Sequence, residues 1–341
     1  MNEQALTAKD FTSDQEVRWC PGCGDYAILK CMQRTLPEIG SRPENTVFVS
    51  GIGCSSRFPY YMSTYGFHTI HGRAPAIATG LKLSNPELDV WVVTGDGDGL
   101  SIGGNHMLHV LRRNVDLNIL LFNNEIYGLT KGQYSPTSKQ GTISPSTPFG
   151  SVDASVSPAE FALGSGARFV ARTIDTAQKH MPEVFKRAHT NKGASFVEIF
   201  QNCIVYNDAI FAEFTDKAHA KDRQLMAEHG KPLLFGADMN KGLRMDPKSL
   251  SLEVVTLGEH GITEDDVLVH DETNRLQAMM LASLRPTEFP MVLGVLYAAP
   301  APTYGEQLRE QVEDVRRKKG AADLNALIRK GRTWVVEDGA E

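Results

Sequence analysis

Residues 90–99 read VWVVTGDGDG, and residues 117–124 read LNILLFNN. Each stretch starts as an apolar, β-rich run and ends in glycine, aspartate or asparagine, which is typical of a buried strand followed by a loop. The intervening residues 105–113 have the pattern of a helix. A strand, a helix and a second strand within roughly 30 residues predict one unit of a parallel sheet. Asp96 and Asn124 would then lie at neighbouring carboxyl ends of strands.

The same alternation continues on both sides of this unit. Residues 45–50, 90–94, 117–122, 168–172 and 195–200 predict strands, and residues 74–84, 105–113, a segment from Pro158 and 176–190 predict helices. Buried strands that alternate with helices form sheets that helices cover on both sides. We therefore predict an α/β fold, with a mainly parallel sheet and helices on both faces.

Two segments depart from this alternation. Residues 131–157 are rich in Ser, Thr, Pro and Gly, and a loop of that length is usually functional. After Phe214 the chain becomes more charged, with short strands expected at 252–255 and 292–295 and a final helix at 306–319. We predict a first domain over residues 1–215 and a C-terminal extension over residues 216–341, packed on that domain or on a partner.

Composition limits the class of protein. The 341 residues include 35 basic and 41 acidic side chains, a formal net charge of −6, and 41% are apolar, which is enough for a large core. The acidic balance argues against binding to nucleic acid. We expect no membrane span, since no apolar run approaches about 18 residues, and the polar start of the sequence predicts a cytoplasmic protein.

Asp96 and Asn124 are candidate ligands of a hard cation. Magnesium prefers oxygen ligands and usually combines one or two carboxylates with phosphate oxygens and water. The Asp96 carboxylate, the Asn124 amide oxygen and the Ile126 carbonyl would supply the protein's share of such a site. The alternative is an ordinary turn between a strand and a helix.

The cysteines form a second candidate site. Cys20 and Cys23 are spaced so that both thiolates can reach one metal, and Cys54 and Cys203 can complete a site of four thiolates. The spacing alone leaves zinc, an iron–sulfur cluster and a redox dithiol open. Cys31 lies in an apolar helical pattern, where a small buried side chain is expected.

The sequence also resembles a known family. A GDG motif followed after about thirty residues by NN resembles the magnesium–thiamine diphosphate motif of thiamine-dependent enzymes. Together with WCPGCGDY at 19–26 and IHGRAPAIATGLKLSNP at 70–86, it resembles the β subunit of the 2-oxoacid:ferredoxin oxidoreductases, most closely the 2-oxoglutarate branch. The resemblance covers roughly residues 16–300.

The resemblance implies a thiamine diphosphate-binding domain in residues 1–215, with Mg²⁺ held by Asp96, Asn124 and Ile126. It further implies one [4Fe–4S] cluster held by Cys20, Cys23, Cys54 and Cys203. Arg57 and Lys131 become candidates for binding substrate carboxylates, with surface cations as the alternative. His71 either contacts the cofactor or is a core histidine. The implied cofactor contacts are Ile52, Gly53, Cys54, Ser55, His71, Gly97, Asp98, Gly128 and Leu129.

The implied activity is the CoA-dependent, reversible oxidative decarboxylation of 2-oxoglutarate to succinyl-CoA and CO2, with electrons passed to ferredoxin. The family's catalytic glutamate belongs to a pyrimidine-binding domain on another subunit, so the chain should be active only with that α subunit, assembled as (αβ)2. Pyruvate or a branched-chain 2-oxoacid is the alternative substrate. A metal-stapled electron-transfer or scaffold subunit is the alternative of another class.

Overall fold

A central sheet of eight strands organises the molecule. The computed structural model describes residues 5–337 and Gly339. The sheet has the order β2-β1-β3-β4-β6-β5-β11-β7, and its neighbours are parallel except for the antiparallel pair of β5 and β11. The strands are β1 (Thr46–Ser50), β2 (Tyr65–His68), β3 (Asp89–Gly95), β4 (Leu117–Asn123), β5 (Phe169–Ile174), β6 (Ala194–Phe200), β7 (Gln224–Ala227) and β11 (Met291–Ala298).

A smaller sheet lies in the second half of the chain. It is antiparallel, with the order β10-β9-β8, and consists of β8 (Leu234–Phe235), β9 (Lys241–Met245) and β10 (Leu252–Thr256). The α-helices are α1 (Asp25–Glu38), α2 (Ala74–Ser84), α3 (Asp96–Leu100), α4 (Gly104–Arg113), α5 (Pro158–Gly164), α6 (His180–Thr190), α7 (Ala212–Thr215), α8 (Ala220–Arg223), α9 (Arg275–Ser283), α10 (Tyr304–Lys319) and α11 (Leu324–Ile328).

Helices cover both faces of the central sheet because side chains alternate along each strand. In β3, Val90 and Val92 pack in one hydrophobic cluster with α2, α4, α5 and α9. Trp91 and Val93 point the other way, into a cluster with α1 and α6. The predicted fold class is confirmed.

Most of the predicted elements agree with the structure to within a residue or two, and the helix from Ala74 to Ser84 agrees at both ends. The predicted start of a helix at Thr176 is wrong, because α6 begins at His180. Residues before it form a turn, in which the Ala177 N–H donates to the Ile174 carbonyl and the Gln178 side chain donates to the Asp175 carbonyl at 2.6 Å.

The segment after residue 215 contributes to the central sheet. Both β7 and β11 belong to that sheet, and β11 pairs directly with β5. The division of the chain at residue 215 stays a prediction. Beyond β11, α10 and α11 contain no buried residue. Within the described residues, no helix combines the length and the apolar character needed to cross a membrane.

Candidate functional site

A cavity opens at the carboxyl ends of β1, β3 and β4. It brings together all three predicted magnesium ligands and all nine predicted cofactor contacts, whose roles in binding stay predictions. The cavity is lined by Ile52, Gly53, Cys54, Ser55, His71, Gly95, Asp96, Gly97, Asp98, Phe122, Asn124, Ile126, Tyr127, Gly128, Leu129 and Thr130. Strand–loop junctions of a parallel sheet are where α/β proteins bind ligands.

Asp96 is buried at the end of β3, where α3 begins. Its Oδ2 atom accepts hydrogen bonds from the hydroxyls of Ser135 and Thr137, each at 2.5 Å. Burial raises the pKa of Asp96 to about 6, while the two hydroxyls act in the opposite direction because they stabilise the carboxylate. The polar loop predicted at 131–157 therefore returns to the candidate metal ligand. Sequence reasoning noted the loop's composition but missed these two residues.

Asn124 follows β4 directly, and its orientation is fixed by a residue at the end of β6. Its Nδ2 donates to Gln201 Oε1 at 2.7 Å, and its Oδ1 accepts from the Ile126 N–H at 3.3 Å. Gln201 is buried, and its own Nε2 lies 3.2 Å from Cys23 Sγ. Gln201 therefore links the candidate magnesium ligands to the cysteines, a role that its sequence position does not indicate.

Asp98 ties together the loops that form the cavity. Its Oδ1 accepts from the backbone N–H of Ile52 at 3.1 Å and of Gly72 at 2.7 Å, and its Oδ2 accepts from Thr94 Oγ1 at 2.7 Å. These bonds satisfy a buried carboxylate with neutral donors. They also hold the loop after β1 against the residues that precede α2.

Tyr127 is a cavity residue that sequence reasoning missed. Its hydroxyl donates to the Gly97 carbonyl at 3.1 Å, and its ring lies so close that a Cβ on Gly97 would sit 2.1 Å from a ring carbon. Only glycine fits at position 97 for this reason. The aromatic ring also closes one side of the cavity beside Asp96.

The four predicted cluster cysteines come from three separate segments of chain. Cys20 and Cys23 flank a turn in which the Cys23 N–H donates to the Cys20 carbonyl and Gly22 has a φ of +87°, which favours glycine. A Cβ on Gly128 would lie 3.4 Å from Cys203 Sγ and 3.7 Å from Cys54 Sγ. The sulfur atoms of Cys54 and Cys203 therefore lie beside the same glycine of the cavity wall.

Electrostatic interactions connect these cysteines with one another. Burial raises the pKa of Cys54 to about 12, and Asp25, Cys203 and Cys20 add to the rise. Burial, Asp25, Cys203 and Cys54 likewise raise the pKa of Cys23. Without a metal, these surroundings favour the protonated thiols of Cys23 and Cys54.

Cys31 lies apart from this group. It is buried in α1, as predicted, where its thiol contacts Thr35 and burial raises its pKa to about 12. Substitution of Cys31 is therefore a control for substitutions of the four predicted cluster cysteines.

The remaining predicted site residues differ in position. His71 lines the cavity and is exposed, so the alternative of a core histidine is wrong. Arg57 and Lys131 are not part of the cavity wall. Arg57 Nε donates to Tyr61 Oη at 3.0 Å, and its charge lowers the pKa of Cys54, which places it close to the wall. Lys131 is exposed, with a φ of +75°.

Among residues 5–337 and Gly339, no three His, Cys, Asp or Glu side chains are grouped so that they could hold a metal ion. The predicted magnesium ligands include one carboxylate, with an amide oxygen and a backbone carbonyl. A four-iron cluster binds its four thiolates to different iron atoms, so its ligands do not need to meet at one metal ion.

The chain matches one family model. Residues 51–199 match the family described as thiamine pyrophosphate enzyme, C-terminal TPP binding domain. The matched segment runs from the loop after β1 to β6 and includes Asp96, Asn124 and Ile126.

Similar proteins extend the match to nearly the whole chain. The chain is 49% identical over 340 residues to the 2-oxoglutarate oxidoreductase subunit KorB of Mycobacterium tuberculosis, covering 98% of this chain and 90% of that one. It is 47% identical over 196 residues to the 2-oxoacid:ferredoxin oxidoreductase 1 subunit beta of Aeropyrum pernix, covering 58% and 62%. In a solved structure of 2-oxoglutarate:ferredoxin oxidoreductase from Magnetococcus marinus, with 2-oxoglutarate, coenzyme A and succinyl-CoA bound, one chain is similar with a TM-score of 0.76 and 32% identity, covering 97% and 98%.

Proposed function

Because this chain belongs to the β subunits of the 2-oxoacid:ferredoxin oxidoreductases, we propose that it binds thiamine diphosphate, Mg²⁺ and one [4Fe–4S] cluster for the oxidation of 2-oxoglutarate. With its α subunit it would convert 2-oxoglutarate and coenzyme A reversibly to succinyl-CoA and CO2 and reduce ferredoxin. The observation that carries the proposal is the cavity in which Asp96, Asn124 and Ile126 meet.

The donor set around Asp96 fits magnesium. Asp96 offers a buried carboxylate, and Gln201 fixes the Asn124 amide by accepting from its nitrogen, which leaves the amide oxygen as the ligand. Ile126 would add its backbone carbonyl. The diphosphate would complete the coordination from the cavity side, where Gly53, Ser55 and Gly97 form the wall.

The cysteines fit an iron–sulfur cluster. Burial and the neighbouring cysteines raise the pKa of Cys23 and Cys54, so these thiols need a strong cationic centre to become thiolates, and iron provides one. Cys20, Cys23, Cys54 and Cys203 would hold the cluster, with Gln201 donating a hydrogen bond to the Cys23 sulfur. Cys54 also lines the cavity, so the two centres would share a wall.

The residues of this chain would position the cofactor and the substrate. Thiamine diphosphate, when bound, supplies the electron sink for loss of CO2, and the cluster accepts electrons one at a time. Asp96 and Asn124 would orient the cofactor by its diphosphate, while Tyr127 would close the cavity on the side beside Asp96. Arg57 and Lys131 remain our candidates for the substrate carboxylates, with Arg57 favoured by its position near Cys54.

An α subunit is expected to cover the mouth of the cavity. Large apolar side chains of β2, of its neighbouring segments and of the cavity wall are exposed, and β2 is an edge strand of the central sheet, paired with β1 on one side. Such an apolar, edge-strand surface is typical of a protein interface. The exposed side chains are Tyr65, Phe67, Ile70, Ile102 and Leu129. We propose that this surface binds the pyrimidine-binding domain, in an (αβ)2 assembly.

Asp96→Ala tests the proposal. In the complex with the α subunit, we expect Mg²⁺-dependent binding of thiamine diphosphate, measured by calorimetry, to weaken by about 100-fold or more, because a metal ligand is lost. The visible absorbance of the cluster should persist. Asp238→Ala, which removes an exposed carboxylate, is the matched control. Undiminished cofactor affinity in Asp96→Ala would refute the assignment of the cavity.

A substrate series then tests the activity. CoA-dependent dye reduction by the complex should be fastest with 2-oxoglutarate. A preference for pyruvate or a branched-chain 2-oxoacid would correct the substrate, and the absence of thiamine and iron from the complex would favour a scaffold.

A further inference from the structure

The loop after β4 holds Asp96 through a pair of hydroxyl groups, which we call the Asp96 clamp. The clamp consists of Ser135 and Thr137, both nearly fully buried. Ser135 Oγ and Thr137 Oγ1 each lie 2.5 Å from Asp96 Oδ2. Distances this short are typical of hydroxyls that donate to an ionised carboxylate.

The clamp occupies one oxygen of the carboxylate. A carboxylate oxygen has two lone-pair sites, and each hydroxyl has one hydrogen to donate. Two donors on Oδ2 therefore use the acceptor sites of that atom. Oδ1 receives no clamp hydroxyl and would be the oxygen that coordinates a cation in the cavity, while the backbone N–H groups of Asp96 and Gly97 also stabilise the carboxylate.

The loop around the clamp is itself fixed. Ser138 Oγ donates to the Glu125 carbonyl at 2.5 Å and accepts from the Ser135 N–H at 2.8 Å, and the Val156 N–H donates to the Pro136 carbonyl at 2.8 Å. Asn123 Oδ1, at 3.1 Å, is a second acceptor within reach of the Thr137 hydroxyl, and Asp96 Oδ2 is the closer of the two. The loop cannot move away from Asp96 without breaking the bonds of Ser138 and Val156.

We propose that the Asp96 clamp makes the metal site selective for Mg²⁺ over Ca²⁺ by restricting Asp96 to one coordinating oxygen. Mg²⁺ requires near-ideal octahedral geometry with short bonds, which a single carboxylate oxygen satisfies. Ca²⁺ accepts six to eight ligands and readily takes both oxygens of a carboxylate. The inference rests on the proposed function, since it assumes that Asp96 ligates the cofactor's cation.

The test compares two cations on the intact complex of this chain with its α subunit. Thiamine diphosphate binding is measured by calorimetry during titration with MgCl2 or CaCl2, without 2-oxoacid. The variants are Ser135→Ala, Thr137→Val and the double substitution. Thr137→Ser keeps the hydroxyl and serves as the rescue variant. Thr142→Val is the matched control, because the Thr142 hydroxyl donates to the Lys139 carbonyl instead.

We expect the preference for Mg²⁺ over Ca²⁺ to fall by about tenfold in the double variant, the size of one hydrogen bond to a charged group. Ser135→Ala alone should lower this preference by a smaller factor, so the inference can still be tested if the double variant does not fold. Thr137→Ser and Thr142→Val should retain the preference of the unaltered chain.

Two results would overturn the inference. An unchanged cation preference in folded clamp variants would mean that the hydroxyls do not restrict Asp96. Equal weakening with both cations would assign the clamp a purely structural role. If the unaltered complex bound thiamine diphosphate without any divalent cation, the proposed function would fail as well, so the two failures are distinguishable.

Discussion

Around Asp96 the polar side chains are buried and bonded to one another, whereas the four predicted cluster cysteines are exposed or half-buried, and burial raises the pKa of Cys23 and Cys54. Asp96 accepts from Ser135 and Thr137, and Asn123 Nδ2 donates to Glu198 Oε1 at 2.8 Å. Glu198 in turn pairs with buried Arg172 at 2.8 Å. Neutral donors and a buried ion pair therefore preassemble the candidate magnesium region.

The cysteine region is not stabilised in this way. Cys23 and Cys54 lie in surroundings that oppose the ionisation of their thiols, so the cluster would have to supply the free energy that deprotonates them. A hard-cation site can be built by hydrogen bonds before the cation arrives, whereas a thiolate site depends on its metal. Gln201, which contacts both Asn124 and Cys23, lies where the two regions meet.

The largest effect, on the free energy of unfolding, is expected from breaking the buried ion pair of Glu198 and Arg172, which Asn123 connects to the Asp96 region. Glu198→Ala leaves Arg172 charged and without this partner in the core, so the free energy of unfolding should fall by about 3–5 kcal/mol. Glu160→Ala, which breaks the more exposed pair with Arg285, should cost at most about 1 kcal/mol. Denaturant unfolding measures both. Equal losses would show that the region is not preassembled as described.

The dependence of the cysteine region on its metal can be tested next. Cys54→Ser should lose most of its iron and sulfide after anaerobic purification, because each ligand is needed to hold the cluster. Cys31→Ser should retain both, since that thiol lies apart in α1. Zinc without iron in the unaltered chain would contradict the cluster assignment.

Gln201→Leu acts on both regions at once, because Gln201 contacts both Asn124 and Cys23. Loss of the bond to Asn124 should weaken Mg²⁺-dependent thiamine diphosphate binding by about tenfold, as for other residues that orient metal ligands. Loss of the bond to Cys23 should shift the reduction potential of the cluster, measured by redox titration. Gln140→Leu, at an exposed position, is the control. A change in only one of the two measurements would mean that Gln201 does not link the regions.

Arg57→Ala is expected to have the smallest effect. Arg57 lies outside the cavity wall, so kcat/KM for 2-oxoglutarate should fall by about fivefold relative to pyruvate, the size of a solvent-screened ion pair. Only 2-oxoglutarate has a distal carboxylate to lose its partner. Arg112→Ala, at an exposed position on α4, is the control. Equal losses on both substrates would place Arg57 on their shared carboxylate or on the fold.

Local sequence determined the framework of this protein. The stretches VWVVTGDGDG and LNILLFNN predicted β3, β4 and the adjacent positions of Asp96 and Asn124, because hydrophobic runs and glycine turns act within a few residues. The close pair of cysteines in CPGC likewise follows from a tight turn. Such features depend on the chain's immediate neighbours, and they can be predicted without knowing how the chain folds back on itself.

The contacts between distant segments depend on the tertiary structure. Ser135 and Thr137 reach Asp96 from a loop with no periodic pattern, and Gln201 reaches Cys23 and Asn124 from the end of β6. The position of Arg57 outside the cavity wall was likewise not predictable. A hydrogen bond between residues far apart in sequence depends on where the whole sheet places their backbones, and a short-range sequence pattern does not predict that placement.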